Sequence, residues 1–371
     1  MEYSFARSGF RKGRAYSNAL MLLNVAQRKP KFLARLAGGW FRAVILRQQR
    51  LRFMDVAIDY ACNMKCSHCS AVSLGRKKEQ KLTLNDYASL ADQLCNEGCL
   101  IFHFTGGEPL LRSDLEDIIR ACKPECCGIS IQSNGILADR KRLKSLREAG
   151  ADIFCVSIDS GIPREHDEFR NYPGAYDLAV EALDNAVELG YQTMISTCLS
   201  HENIGSEGFL KAVALAEERG IWCSINLAAP AGNWRECDKF LLTEDDQRKW
   251  REFALHHPLY HIDLQHNWKN VGCGTIKEKL YLTAYGEIMP CPFIQVSLGD
   301  IRTESMRTIR ERALRYPKFA EYYPKCLAAE DRYFIENNPC YRHCDKIALP
   351  VPWKDVPELA KYMAGSEAEP E

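Results

Sequence analysis

LIFHFTGGEPLLRSDLEDIIRACKPECCGISIQSNG, residues 100–135, holds one complete strand–helix–strand unit. LIFHFTGG reads as a buried strand and GISIQSNG as a second. Between them SDLEDIIRACK reads as a helix, with Ser113 as its expected N-cap. Two strands joined this way run parallel, with a right-handed crossover.

The same rhythm extends in both directions. RFMDVAIDYA precedes it as a strand, followed by the helix LTLNDYASLADQLCNEG opened by Thr83. Beyond it come the helix ADRKRLKSLREAG ending at Gly150, the strand DIFCVSID and the helix AYDLAVEALDNAVELG ending at Gly190. The strand QTMISTCLS, the helix EGFLKAVALAEERG ending at Gly220 and the strand WCSINLAAP complete the series. Capped starts and glycine stops are what helix termini require. Six such units fit two α/β architectures, a doubly wound sheet or a partial (β/α)6 TIM-type barrel. CNMKCSHC, TGGEP, SNG and SIDS each fall at the C-terminal end of a strand, as a barrel mouth demands, so the barrel is expected over residues 53–230. Residues 231–270 read as a linker with one helix. Residues 271–350 read as a small α+β domain containing a hairpin, KLYLTAYGEIMPC, around Tyr285–Gly286. Residues 351–371 read as a tail, polar from Ala364 onward.

Hydrophobic residues make up 46% of the 371 and charged residues 26%, so a sizeable core forms without disulfide staples. Net charge is +0, but residues 1–52 carry 12 Lys/Arg and one acid, Glu2. That basic helical arm, broken near Lys29–Pro30, has the composition of an interfacial helix and equally of a helix pair packed on a barrel. Its expected partner, in the first case, is an anionic membrane surface. Nothing points to specific nucleic-acid binding. Met1 to Arg14 has no apolar leader and no run is long enough to span a bilayer, which gives a cytoplasmic expectation, peripheral to the membrane if the arm binds it. In a reducing compartment, clustered cysteines among the 17 present favour metal binding over disulfides.

Cys62, Cys66 and Cys69 place three thiols within eight residues of one loop. This spacing wraps one face of a cubane cluster and leaves one iron open for a substrate; a zinc site completed by His68 is the competing reading. C-x3-C-x2-C after the first strand, TGGEP at Thr105–Pro109 after the second, and CVSIDSGIPREHDEFRNYPGAY at 155–176 together resemble the radical S-adenosylmethionine (SAM) superfamily. The resemblance covers roughly residues 53–230. It departs at His68, where an aromatic residue is usual, and at Ser160, where glycine is common. It implies a [4Fe-4S] cluster on the three cysteines and a SAM pocket built from Gly106, Gly107, Glu108, Asn134, Ser157, Asp159 and Arg170. It also implies a reductant such as ferredoxin or flavodoxin.

C273-x12-G286-x4-C291, then Cys326 and C340-x3-C344, resembles the SPASM/twitch extension of that superfamily. The full extension carries about seven cysteines for two auxiliary clusters; five here imply one auxiliary [4Fe-4S] cluster. Cys273, Cys291 and Cys344 are its expected ligands, with Cys340 or Cys326 as the fourth; a zinc knuckle is the alternative. Most of the other nine cysteines read as small buried hydrophobes, with Cys198, Cys223 and Cys237 as candidates near the barrel mouth, where a thiol can give a hydrogen atom to a product radical. The activity implied is reductive cleavage of SAM to a 5′-deoxyadenosyl radical that abstracts hydrogen from a C–H bond. A precursor peptide or protein side chain is the leading substrate, and a small molecule or lipid precursor the second. A plain iron–sulfur electron carrier is a third reading, disfavoured because a carrier needs no SAM pocket. No catalytic acid, base or hydrogen donor is assigned.

Overall fold

The computed structural model describes residues 23–76, 79–257, 260–262, 272–341 and 348–365. Its spine is a run of seven parallel strands: β1 Phe53–Asp59, β2 Ile101–Gly106, β3 Gly128–Ser133, β4 Ile153–Ser157, β5 Gln192–Leu199, β6 Trp222–Leu227 and β7 Tyr260–Ile262. Each pairs with its chain neighbour, so the order never reverses. A doubly wound sheet needs a reversal; a curling half-barrel does not. Among the described residues the sheet does not close.

Crossover helices α2 Leu84–Glu97, α3 Leu115–Ala121, α4 Arg140–Ala149, α6 Ala175–Glu188 and α7 Glu207–Glu218 cover the outer face. A further helix, α5 Pro163–Arg170, sits inside the 155–176 motif, where no helix was anticipated. Thr83 caps α2 in a reciprocal box with Asp86, and the helix stops at Gly98 with φ +100°. Ser113 is not the cap of α3. Asp114 takes that position and makes no side-chain cap bond, because Arg112 holds both of its carboxylate oxygens at 2.7 Å.

Residues 231–262 carry α8 Glu244–His256 and then β7, three residues that extend the sheet beyond β6. The hairpin forms as β8 Lys279–Leu282 and β9 Glu287–Met289, turning through Gly286 at φ +100°. β8 also pairs parallel with β1, so the C-terminal region continues the main sheet. β10 Val296–Ser297, β11 Gly299–Asp300, α9 Met306–Ala313, α10 Pro317–Ala320, α11 Arg332–Asn337, β12 Val351–Pro352 and α12 Pro357–Met363 complete it.

Residues 23–28 are helical, Lys29 interrupts, and α1 Pro30–Val44 restarts with proline at its first position, where no N–H is required. Phe32 and Leu36 of α1 pack with Val25 and Ala26 on Leu100, Ile101, Ile153, Phe53 and Met194. Those are residues at or near the N-terminal ends of strands, so the arm plugs the floor of the half-barrel. Lys29 Nζ donates to the carbonyls of Cys127 (3.1 Å) and Gly150 (3.0 Å) and pairs with the Asp152 carboxylate. Its burial pushes the ammonium pKa down, and the Asp152 carboxylate opposes that fall.

Candidate active site

Strand β1 delivers its chain to the mouth at Asp59, and the cysteine loop follows. The TGGEP loop at the end of β2 grips the base of that loop: Gly107 N donates to Asp59 O and Glu108 N to Ala61 O, both at 2.8 Å. A Cβ on Gly106 would lie 2.1 Å from Asp59 O, and one on Gly107 2.1 Å from Ala61 O. Gly106 also holds φ +117°. The two glycines are therefore demanded by the cysteine loop itself, a reason separate from the SAM pocket that the resemblance implied.

The Glu108 carboxylate is 1% exposed and already has three donors. Its Oε1 accepts from Leu110 N (3.1 Å) and Ser133 Oγ (2.9 Å), and its Oε2 from Asn134 N (2.8 Å). Burial raises its pKa, and those hydrogen bonds oppose the rise. Glu108 thus stitches the tip of β2 to the tip of β3. The Asn134 side chain continues the link, donating to Asn63 Oδ1 at 2.7 Å, with its Nδ2 4.0 Å from Cys62 Sγ.

On the opposite side Arg170, at the end of α5, pairs with Asp159 at 2.6 Å and brings Nη1 within 3.8 Å of Cys66 Sγ. Asp159 in turn accepts from Cys198 N at 2.9 Å. Burial alone would raise the Asp159 carboxyl, but Arg170, His68 and His166 hold it below the usual range. Ser157 accepts from Gln132 Nε2 at 2.8 Å. His68 stacks on Phe169 with ring centroids 4.5 Å apart, as an aromatic residue would, and burial pushes its pKa down to about 4.

Cys62, Cys66, Cys69 and all seven candidate cofactor residues line one cavity of about 280 Å³. Burial pushes the Cys62 thiol up to about 11. The cavity floor is apolar, with Phe53, Ile101 and Trp222; its middle is polar, with His103 bonded to Ser130 (2.8 Å) and Asn226 to Ser196 (3.0 Å). Cys198 lines it, as does Cys155; Cys223 sits in the core and Cys237 is outside the wall.

Several supports had no sequence signal. Asn233 N donates to Cys69 O (3.0 Å) and Asn233 Nδ2 to Cys66 O (2.9 Å). A Cβ on Gly232 would lie 1.9 Å from Cys69 O. Gln295, fully buried, donates to Ser70 O at 2.8 Å and accepts from Ser73 and Arg235. Residues 292–293, directly after Cys291, form part of the cavity wall.

The C-terminal thiols gather nearby. Cys326 is raised by burial, with Cys273 and Cys291 as like charges around it; burial pushes Cys291 up to about 12. Tyr341 sits among Cys291, Cys326 and Cys340. Cys344 lies outside the described residues.

A family profile described as Radical SAM superfamily matches residues 58–216, and one described as an iron–sulfur cluster-binding domain matches residues 273–345. The chain is 34% identical over 143 residues to an Fe-coproporphyrin III synthase of Methanosarcina barkeri, covering 38% of this chain and only 36% of that protein. It is 23% identical over 309 residues to an AdoMet-dependent heme synthase of Oleidesulfovibrio alaskensis, covering 74% and 79%. Among solved structures, Streptococcus suis SuiB bound to its precursor peptide SuiA superposes with a TM-score of 0.59 at 15% identity, over 73% of this chain and 66% of SuiB. Native anSMEcpe with bound AdoMet gives 0.56 at 18% identity, over 84% and 96%. At these identities the likeness is one of fold.

Proposed function

We propose that this chain, whose residues 58–216 belong to the Radical SAM superfamily and whose residues 273–345 form an iron–sulfur cluster-binding domain, uses its radical on a side chain of a peptide or protein. The observation that carries this reading is the shared cavity: one wall is the cysteine loop and its glycine cradle, and another is the segment after Cys291.

The residues present fit a cluster and SAM. Three thiols line one cavity with no fourth cysteine on their loop, which would leave one iron for the amino and carboxylate groups of SAM. Arg170 Nε and His68 Nδ1 are buried and carry no partner, so donors remain for a ligand. When bound, a reduced [4Fe-4S] cluster supplies the electron that splits SAM into methionine and a 5′-deoxyadenosyl radical. Cys62, Cys66 and Cys69 would hold that cluster. Gly106, Gly107, Asn134, Ser157, Asp159 and Arg170 would shape the SAM pocket, with Glu108 fixing the loop that presents it. Cys273, Cys291 and Cys326, with Cys340 or Cys344, would hold one auxiliary cluster. The plugged floor keeps water and stray hydrogen donors away from the lumen, and a ferredoxin or flavodoxin would provide electrons.

A pocket of about 280 Å³ is at the low end of what one small ligand fills. SAM would take up most of that space, so the parent chain of a substrate would stay outside and only a reacting group would approach the mouth. A tetrapyrrole-like small molecule is the second reading, favoured by the long match to proteins named as heme synthases. The test is anaerobic: reconstituted protein with SAM and dithionite should release 5′-deoxyadenosine and carry about eight irons if both sites hold cubane clusters. Zinc in place of iron, or no 5′-deoxyadenosine, would overturn the proposal. Carbon-labelled candidate substrates, peptide against tetrapyrrole, then separate the two readings.

A further inference from the structure

Fifteen large apolar side chains are exposed among the described residues, and six of them lie within residues 23–46: Leu23, Leu33, Trp40, Phe41, Ile45 and Leu46. Helix α1 explains the concentration. Its inner face, Phe32 and Leu36, is used up in plugging the half-barrel floor. At 100° per residue, Leu33, Ala37, Trp40, Phe41 and Val44 form a second apolar stripe on the outer side. Trp40 and Phe41 are 48% and 49% exposed, large fractions for the most apolar ring types in the chain. Exposed Lys31 and Arg42 lie beyond the Phe41 edge of this stripe, with Arg28 and Arg47 at the helix ends. Residues 23–52 hold eight Lys/Arg and no acid.

A helix that only caps the floor needs an apolar arc no wider than the floor, and this one runs on past Phe32 and Leu36 through Trp40 to Phe41, with basic residues beyond its outer edge. An outer stripe made for a protein partner would not require that edge to be free of acids throughout. An aromatic-rich stripe whose only charged neighbours are cations matches the boundary between headgroups and acyl chains in an anionic bilayer. No helix among the described residues is long and apolar enough to cross a membrane, and α1, at 15 residues, lies too short for it.

We propose that the outer face of α1 docks on an anionic phospholipid surface, with Trp40, Phe41 and Leu33 entering the headgroup boundary and Lys31, Arg42 and Arg47 meeting lipid phosphates. Because α1 covers the floor, the cavity mouth and cysteine loop then face away from the bilayer. Substrate reaches the mouth from the aqueous side, and the arm tethers the enzyme without forming a route into its lumen.

The test is co-sedimentation of the full-length protein with vesicles of phosphatidylcholine alone or mixed with phosphatidylglycerol. Binding should require phosphatidylglycerol and weaken steeply with salt. Lys31→Glu and Arg42→Glu should each lower affinity by about fivefold or more. Trp40→Asp with Phe41→Asp should abolish binding while leaving thermal unfolding and iron content unchanged, since neither side chain belongs to the floor packing. Salt-independent binding, binding unaffected by Trp40→Asp, or no binding at low salt would each overturn the proposal. So would a wild-type dimer that Trp40→Asp converts to monomer, because the stripe would then be covered by a second copy.

Discussion

Gln295 Nε2 donates to the carbonyl of Ser70 at 2.8 Å, one residue beyond Cys69 and four beyond Cys291. A single fully buried amide therefore joins the cysteine loop to the C-terminal region, and its Oε1 is fixed by Ser73 and Arg235. Gln295→Leu would take a partner from buried Ser73 and from the part-buried Ser70 carbonyl and Arg235, at a cost of about 1–3 kcal/mol for each that fails to re-pair. The expected outcome is a lower melting temperature and slower 5′-deoxyadenosine release, with Cys291 intact. Unchanged release would show that the loop holds its shape without this tie.

Gly107 is not in a left-handed conformation, so replacing it tests contact alone. Alanine there would push its Cβ into Ala61 O and displace the base of the cysteine loop. Gly107→Ala should fold, because the clash lies at the mouth and outside the core, yet retain well under half of the wild-type cluster after reconstitution. Iron content and the visible absorption of the cluster measure this directly.

Glu108→Gln replaces one of two acceptor oxygens with a donor. At least one of the hydrogens from Leu110, Ser133 or Asn134 would then face an N–H, costing about 1–3 kcal/mol. The variant should show both a lower melting temperature and weaker SAM binding by titration calorimetry, with the cluster retained. Lost SAM affinity at unchanged melting temperature would instead assign Glu108 a direct contact to SAM.

His166 is fully buried and its Nδ1 accepts from Asp159 N at 3.2 Å, a bond only the neutral ring can make in that sense. Burial, with Arg170 adding to it, pushes its pKa down to about 4. The unfolded chain titrates near 6.5, so below that pH the unfolded state binds the extra proton and stability falls until about pH 4. The loss amounts to roughly 2–3 kcal/mol by pH 4.5. Denaturant midpoints from pH 7 to 4.5 should show it, and His166→Asn should flatten that part of the profile.

Much of the site was readable because its chemistry is local. The three cysteines, the glycine pair and the strand ends that carry them sit within short stretches whose residue types have few other uses. What could not be read is tertiary. Asn233 and Gln295 are ordinary polar residues until the chain brings them against the carbonyls of Cys66, Cys69 and Ser70. β7 is three residues long, below the length at which alternation can be counted, so residues 231–270 read as a linker. β8 was legible as half of a hairpin, but its parallel pairing with β1 depends on sheet curvature. The α5 helix hid behind the motif it belongs to, and the cap of α3 shifted by one residue because Arg112 claimed Asp114. The basic arm had two readings from sequence, and packing on the floor accounts for only its inner face.

Cys291 separates the two halves of the proposed chemistry. Its thiol belongs with Cys273 and Cys326, whereas Pro292 and Phe293 next to it line the same cavity as the cysteine loop. The elements that would bind SAM, from Cys62 through Arg170, hold one another through Asp59, Ala61, Ser133 and Asp159, and the hydrogen bonds and ion pair that do so involve no atom of Cys291. Removing one thiol therefore leaves those bonds in place, and Gln295 keeps its tie to Ser70 as long as the backbone after Cys291 stays folded. Cys291→Ala should release 5′-deoxyadenosine at near the wild-type rate, carry about four fewer irons, and yield no modified product. Cys62→Ala should lose both release and product. Comparing 5′-deoxyadenosine with product in the two variants decides the matter: if Cys291→Ala loses both in equal measure, the C-terminal region serves to hold the half-barrel together and takes no part in handling substrate or its electron.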